Sequence, residues 1–279
     1  MEKIFVSIAS FLDPEFMPTI EDCFSKAKYP ERIFIGLHLQ DKMEVLENLH
    51  GLNKNVRVIK TDYKIAEGCG WARNEIMKQL FKNEDYFLLV DSHSRFKKNW
   101  DEIYIKKLNS LPKKSVISAF PRNYEFGETY SIYSKRDVPS IYIPNDITFI
   151  RGIDKPHKQR LAHKPYEKII NISGGNTFGP GSMVKALTIE DFSFYGHQEQ
   201  EIYSLLLYKC GYNIYAINEN LIWHKYFTIG KDDYRELYKE KGSKNSFWPA
   251  LKNYGCNIRT ADQWLKEYET FCYDTKKQH

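Results

Sequence analysis

Five apolar residues, 86–90, run directly into Asp91, Ser92 and His93. Residues i and i+2 of an extended chain face the same way, so the Asp91 carboxylate and the His93 imidazole can converge on one cation while Ser92 points aside. A divalent metal is the natural occupant of such a pair. The plainer alternative is Asp91 as a turn cap with His93 on the surface. The apolar strand that ends in the pair favours a site.

Three further segments carry polar groups at telling places. EGCGWARNEI, residues 67–76, sets two glycines before a helix whose first turn offers N–H groups to an anion, with Arg73 close by. Its spacing is neither a P-loop nor a dinucleotide fingerprint, and Arg73 could equally be a structural ion-pair former. SGGNTFGPGS, residues 173–182, places Gly174 and Gly175 after a strand, where bare backbone can approach a ligand or simply turn. Gln198, Glu199 and Glu201 fall at the start of a predicted helix, where acids also complement the macrodipole, and LIWHK ends a short apolar run in His224.

The elements that position these residues follow from periodicity. β-branched runs over 4–9, 33–39, 56–60, 86–90 and 116–120 alternate with helical patterns over 16–28, 42–49, 71–81 and 99–111, and Pro30 and Pro112 close two of the helices. This is an α/β chain with a doubly wound, mostly parallel sheet flanked by helices. Ligands of such sheets bind beyond the C-terminal strand ends, which singles out residues 10–13, Asp62 and residues 91–93. Over 120–168 the periodicity fails in a stretch rich in Tyr, Pro, Lys and Arg, an irregular aromatic insertion suited to an acceptor lid. Beyond it come a strand over 168–172, a helix over 198–209, strands over 212–217 and 221–224, and a helical tail whose Tyr234, Leu237, Tyr238, Trp264 and Tyr268 have the spacing of core packing. We divide the chain into a domain over 1–228 and a helical extension over 229–279.

Composition narrows the class. With 279 residues, 42% hydrophobic and 28% charged, the chain is neither disordered nor, lacking any run of about 20 apolar residues, an integral membrane protein. A net charge of +5 is too small and dispersed for nucleic acid, though it suits a phosphorylated small molecule. The 20 Tyr and 17 Phe supply amphipathic rings of the kind used by sugar-binding surfaces, and also ordinary core filler. Five cysteines without close spacing read as free thiols of a reducing compartment, and MEKIFVSIAS reads as a first strand and not a secretion peptide, so the expected location is cytoplasmic.

In order, SIASFLDPE, TIEDCFSKAKYPERIFIGL, CGWARNEI, EDYFLLVDSHSRFKKNWD, SGGNTF, YGHQEQEI, CGYNIYA and a final Trp-His resemble the GT-A-fold N-acetylglucosaminyltransferases of the hydroxyproline-modifying type, and more distantly the polypeptide N-acetylgalactosaminyltransferases. The resemblance spans residues 4–226. It implies a retaining glycosyltransferase that moves N-acetylglucosamine from UDP-GlcNAc, with manganese, or alternatively magnesium, as the divalent metal. It makes Asp91 and His93 a metal-binding D-x-H and His224 the third ligand. Ser10 and Asp13 would line the nucleoside pocket, Arg73 would sit by the nucleotide and Gly174 and Gly175 would face the donor sugar. Gln198 and Glu199 stand where relatives carry an acidic pair, and Lys225 stands in for an arginine of the N-acetylgalactosaminyl relatives. The acceptor would be a protein, a glycan or a lipid-linked sugar. Two other classes compete: a non-haem iron oxygenase, which also uses two histidines and one carboxylate but on an all-β barrel, and a catalytically silent nucleotide-sugar-binding protein.

Overall fold

Alternation along the first strand, β1 (Ile4–Phe11), decides which core each residue enters. Ile4, Val6 and Ile8 pack on one face of the sheet with helix α1 (Phe16–Lys26), while Phe5 packs on the other with Ile76 and Met77 of α3 (Cys69–Gln79). A strand covered on both sides must be apolar at nearly every position, which is why its sequence reads as a continuous run. The computed structural model describes residues 1–124, 139–143, 158–162, 164–189, 199–226 and 254–277.

The main sheet also contains β2 (Ile33–Asp41), β3 (Val56–Asp62), β4 (Tyr86–Asp91), β6 (Ser115–Ser118), β10 (Tyr166–Ile169), β11 (Thr177–Pro180) and β12 (Asn213–Ile217), in the order β10-β12-β6-β11-β4-β1-β2-β3. β1 pairs in parallel with β2 and with β4, and β2 in parallel with β3. The chain therefore winds outward through β2 and β3, then crosses back through α3 to the far side of β1. Helices α2 (Met43–Glu47) and α4 (Trp100–Asn109) complete the flanks of this half. β11 runs antiparallel to both β4 and β6, and β10 antiparallel to β12, so the sheet is mostly and not wholly parallel.

A second, small sheet orders β5 (Ser94–Phe96), β13 (Ile222–His224) and β7 (Arg122–Asn123) as β5-β13-β7. The insertion expected to be irregular contains an antiparallel pair, β8 (Ser140–Ile143) with β9 (Lys158–Leu161). A pair this short carries too little alternation to show against its Tyr- and Pro-rich surroundings. Between β11 and β12 lie the short α5 (Val184–Leu187) and α6 (Glu199–Lys209). The last helix, α7 (Ala261–Lys277), buries Ala261, Trp264 and Tyr268 in the same core as α6, as their helical spacing predicts. The Tyr234, Leu237 and Tyr238 part of that stripe lies outside the described residues.

One expectation from the cysteines is overturned. Cys210 and Cys256 form a disulfide that ties the end of α6 to the segment before α7, while Cys23 and Cys69 are free. The sequence separation of 46 hides the pair from any spacing rule, since only the fold brings the two cysteines together. The free-thiol argument for a reducing compartment fails for this pair. Among the described residues no helix is long and apolar enough to cross a membrane.

A buried histidine supplies a test of this packing. His38 on β2 is fully buried, with Nδ1 3.3 Å from the Ala72 carbonyl and Nε2 2.8 Å from the Thr61 hydroxyl. Burial pulls its pKa from 6.5 down to about 4, against the opposing Ala72 carbonyl. The unfolded chain then binds the extra proton between those values, so stability is present above 6.5 and drains away as pH falls toward 4. This residue alone should remove on the order of 3 kcal/mol between pH 7 and pH 4. Urea unfolding of wild type and His38→Gln across that range should show a shallower decline in the variant; parallel declines would refute it.

Candidate active site

β1 and β4 lie side by side, but the connections leaving them run to opposite sides, which opens a crevice beyond their C-terminal ends. β4 delivers Asp91 to that crevice and the next two residues turn the chain into β5. β13 then returns antiparallel to β5 with His224 opposite Ser94, and the Lys225 N–H donates to the His93 carbonyl at 3.0 Å. This register sets the His224 ring edge-on to His93, their centroids 4.5 Å apart.

The two Nε2 atoms are 2.9 Å apart, and His224 Nε2 is 2.9 Å from Asp91 Oδ2. One ligand atom from each of Asp91, His93 and His224 lies within 4.8 Å of the others. Neighbouring ligands of an octahedral ion with bonds of about 2.1 Å sit about 3 Å apart, so these atoms have the spacing of adjacent coordination positions. Burial by itself would raise the Asp91 carboxyl, but the His224 hydrogen bond and the Arg73 charge outweigh it and hold the group well below the usual carboxylate range. Burial pulls the His224 imidazole down, against the attraction of Asp91. An ionised carboxylate beside a neutral imidazole is the state a cation requires of its ligands. The residues fit a divalent metal.

Behind this cluster lies Arg73, one turn into α3 and 1% exposed. Its Nη2 donates to Asp91 Oδ1 at 2.6 Å and to the Gly174 carbonyl at 2.9 Å, and its Nη1 donates to Glu199 Oε1 at 2.8 Å. A Cβ on Gly174 would stand 2.7 Å from Arg73 Nη1, and one on Gly175 2.8 Å from Asp91 Oδ2. The glycine pair thus lets backbone close over the guanidinium and the carboxylate. Glu199 opens α6, is buried, and keeps an oxygen, Oε2, that accepts no hydrogen bond from the described residues.

The remaining candidates are spread around the crevice. Ser10 is fully buried at the end of β1 and its hydroxyl has no hydrogen-bond partner among the described residues. Asp13, expected beside the nucleoside, holds its carboxylate against Ser92 and His93. Lys225 is buried with its Nζ 3.8 Å from Glu15 Oε1. Gln198 lies outside the described residues. Sequence reasoning missed Glu15, which accepts from Arg95 and from the Tyr124 hydroxyl, and Tyr226, whose ring lies 4.3 Å from that of His224. Arg95 continues the i, i+2 pattern of Asp91 and His93, a signal available in the sequence. Glu15 carried none.

The α/β sheet thus presents a carboxylate and two histidines at the point where its winding reverses. Structures with this fold include S. aureus TarS 1-349 in complex with UDP-GlcNAc, with a TM-score of 0.55 and 12% identity over 98% of this chain and 73% of that one. GalNAc-T7 with UDP, GalNAc and Mn2+ gives a TM-score of 0.58 and 15% identity over 99% of this chain and 55% of that one, so the chain spans about half of its length. At such identities the likeness is one of fold. No curated protein sequence matches the chain. The model of the glycosyltransferase (GlcNAc) family matches residues 3–49 and 40–247, and the chain belongs to that family. The all-β barrel expected of the oxygenase alternative is not the fold observed.

Arg73 is the part of the site most open to a stability test. Arg73→Met leaves Asp91 and Glu199 without their cation, and breaking a buried pair in this way costs about 3–5 kcal/mol. Adding Glu199→Gln should recover part of that loss, because one of the two stranded charges is removed. Denaturant titration of the two single variants and the double variant should show that coupling, and strictly additive effects would contradict it.

Proposed function

We propose that the protein transfers N-acetylglucosamine from UDP-GlcNAc to a hydroxyl of a protein or glycan acceptor, with retention of anomeric configuration and with manganese held by Asp91, His93 and His224. The observation that carries this reading is the convergence of those three ligand atoms in the crevice of a chain of the glycosyltransferase (GlcNAc) family. The two fold neighbours support it through their bound molecules, UDP-GlcNAc in TarS and UDP, GalNAc and Mn2+ in GalNAc-T7. When bound, the cation would neutralise the diphosphate and make it a better leaving group.

The chain's own residues then bind and orient. The Ser10 hydroxyl and Gln40 Oε1, both buried and without hydrogen-bond partners among the described residues, lie at the ends of β1 and β2, where a nucleoside would satisfy them. Glu199 Oε2 is free to accept from a substrate hydroxyl, while Arg73 holds the other oxygen of the same carboxylate. Gly174 and Gly175 leave the sugar side of the crevice without side chains. Acceptor recognition falls to the 120–168 insertion, whose described part includes β8 and β9.

UDP-GlcNAc with Mn2+ should raise the melting temperature more than UDP-Gal, UDP-Glc or GDP-mannose; a donor at one hundred times its Kd adds about 2.7 kcal/mol. The same mixture should release UDP slowly to water. Equal shifts with GDP-mannose would overturn the donor assignment, and tight binding with no UDP release, with or without acceptors, would favour the silent binding protein. His224→Ala should raise the Mn2+ concentration needed for half-maximal UDP release, with partial rescue by excess Mn2+ and unchanged circular dichroism. Wild-type metal dependence in that variant would remove His224 from the ligand set.

A further inference from the structure

His93 and His224 differ in what stands behind the ring. His93 Nδ1–H donates to Asp13 Oδ2 at 2.6 Å, whereas His224 Nδ1, also buried, has no hydrogen-bond partner among the described residues. The same Asp13 oxygen accepts the Ser92 hydroxyl at 2.6 Å, and Asp13 Oδ1 accepts the Glu15 N–H at 3.0 Å. Asp13 is 5% exposed, so water competes little for these bonds.

The chain reaches this arrangement through an unfavourable backbone. Leu12 takes a φ of 46°, in the left-handed region that a bulky residue occupies only when its surroundings enforce it. Its N–H donates to the Gln40 carbonyl at 3.0 Å, and the turn carries Asp13 beneath the Asp91 to Ser94 bend. The backbone of that bend is held independently by Thr19, whose hydroxyl donates to the Ser92 carbonyl at 2.7 Å and accepts the Ser94 N–H at 2.9 Å. With the backbone secured by Thr19, what Asp13 adds is control of the imidazole.

We infer that Asp13 is a positioning residue: it locks the His93 ring with Nδ1 protonated and Nε2 turned toward Asp91 and His224, and so sets the affinity of the triad for a divalent cation. The inference rests on the cation reading above and deepens it. A carboxylate behind a ligating histidine fixes tautomer and orientation, and its loss typically weakens metal binding 10- to 100-fold.

The test is Mn2+ alone titrated into the whole chain, with free ion read by electron paramagnetic resonance. Asp13→Ala should raise the Kd about 10- to 100-fold, Asp13→Asn less because its amide oxygen can still accept, and Ser92→Ala by about twofold or less. In a His93→Ala background Asp13→Ala should add nothing, since its target is gone. An equal further loss in that background would show that Asp13 acts through the fold and not through His93. Unchanged affinity in both Asp13 variants would overturn the inference as well. If Asp13→Ala does not fold, Asp13→Asn in the same two backgrounds decides the point. A wild-type chain that takes up no Mn2+ overturns the cation reading, and the Asp13 role with it.

Discussion

A guanidinium withdrawn almost wholly from water must be met by acceptors on the protein, and Arg73 meets this demand with groups drawn from distant parts of the chain. Asp91 lies 18 residues away, the Gly174 carbonyl 101 and Glu199 126. One planar fork on α3 therefore fixes the end of β4, the glycine loop before β11 and the first turn of α6 to one another. A lysine could not do this, because a point charge on a flexible stem does not hold three acceptors in set directions. The same bonds divide Asp91: Oδ1 is committed to Arg73, which leaves Oδ2 to face His224.

The second constraint is one of register. His224 lies 131 positions beyond His93, yet three residues of β13 paired with β5 suffice to bring the two together. Because side chains alternate along a strand, a slip of one residue would turn the imidazole to the opposite face. The Lys225 N–H to His93 carbonyl bond and the parallel pairing of β13 with β7 secure that register from both sides. The small sheet is thus as necessary to the site as the large one.

Much of this architecture was legible in the sequence. Strands buried on both faces announce themselves as apolar runs, so β1, β2 and β4 could be read directly, and with them the strand end where Asp91 and His93 emerge, whereas the reversal of winding between β1 and β4 became visible only in the sheet order. β11 could not, because Thr-Phe-Gly-Pro looks like a turn and becomes a strand only through its neighbours β4 and β6. Arg73 was visible as a polar residue at a helix start, but its partners are set by tertiary contact alone. Asp13 was visible as a residue beyond a strand, yet its direction depends on the unusual φ of Leu12, which no propensity foretells. The pairing of Cys210 with Cys256 was invisible for the same reason: proximity in the fold leaves no mark in the spacing.

Charge explains how these parts form one site. Among the described residues, Asp13, Asp91 and Glu199 bring three carboxylates to the site, Asp13 and Glu199 buried and Asp91 partly exposed, and Arg73 brings one compensating cation. With both imidazoles neutral, as ligands must be, the cluster has an excess of two negative charges. On the proposed reading a divalent ion removes that excess, so the site is assembled for a charge it does not itself possess. A diphosphate arriving next would restore negative charge. Beside the triad, Arg95 donates to Glu15 and the Lys225 ammonium lies 3.8 Å from it, so the carboxylate on that side of the crevice is met by cations of the chain itself. On the proposed reading the charge left for a divalent ion to balance is therefore the one around Asp91, not the one around Glu15.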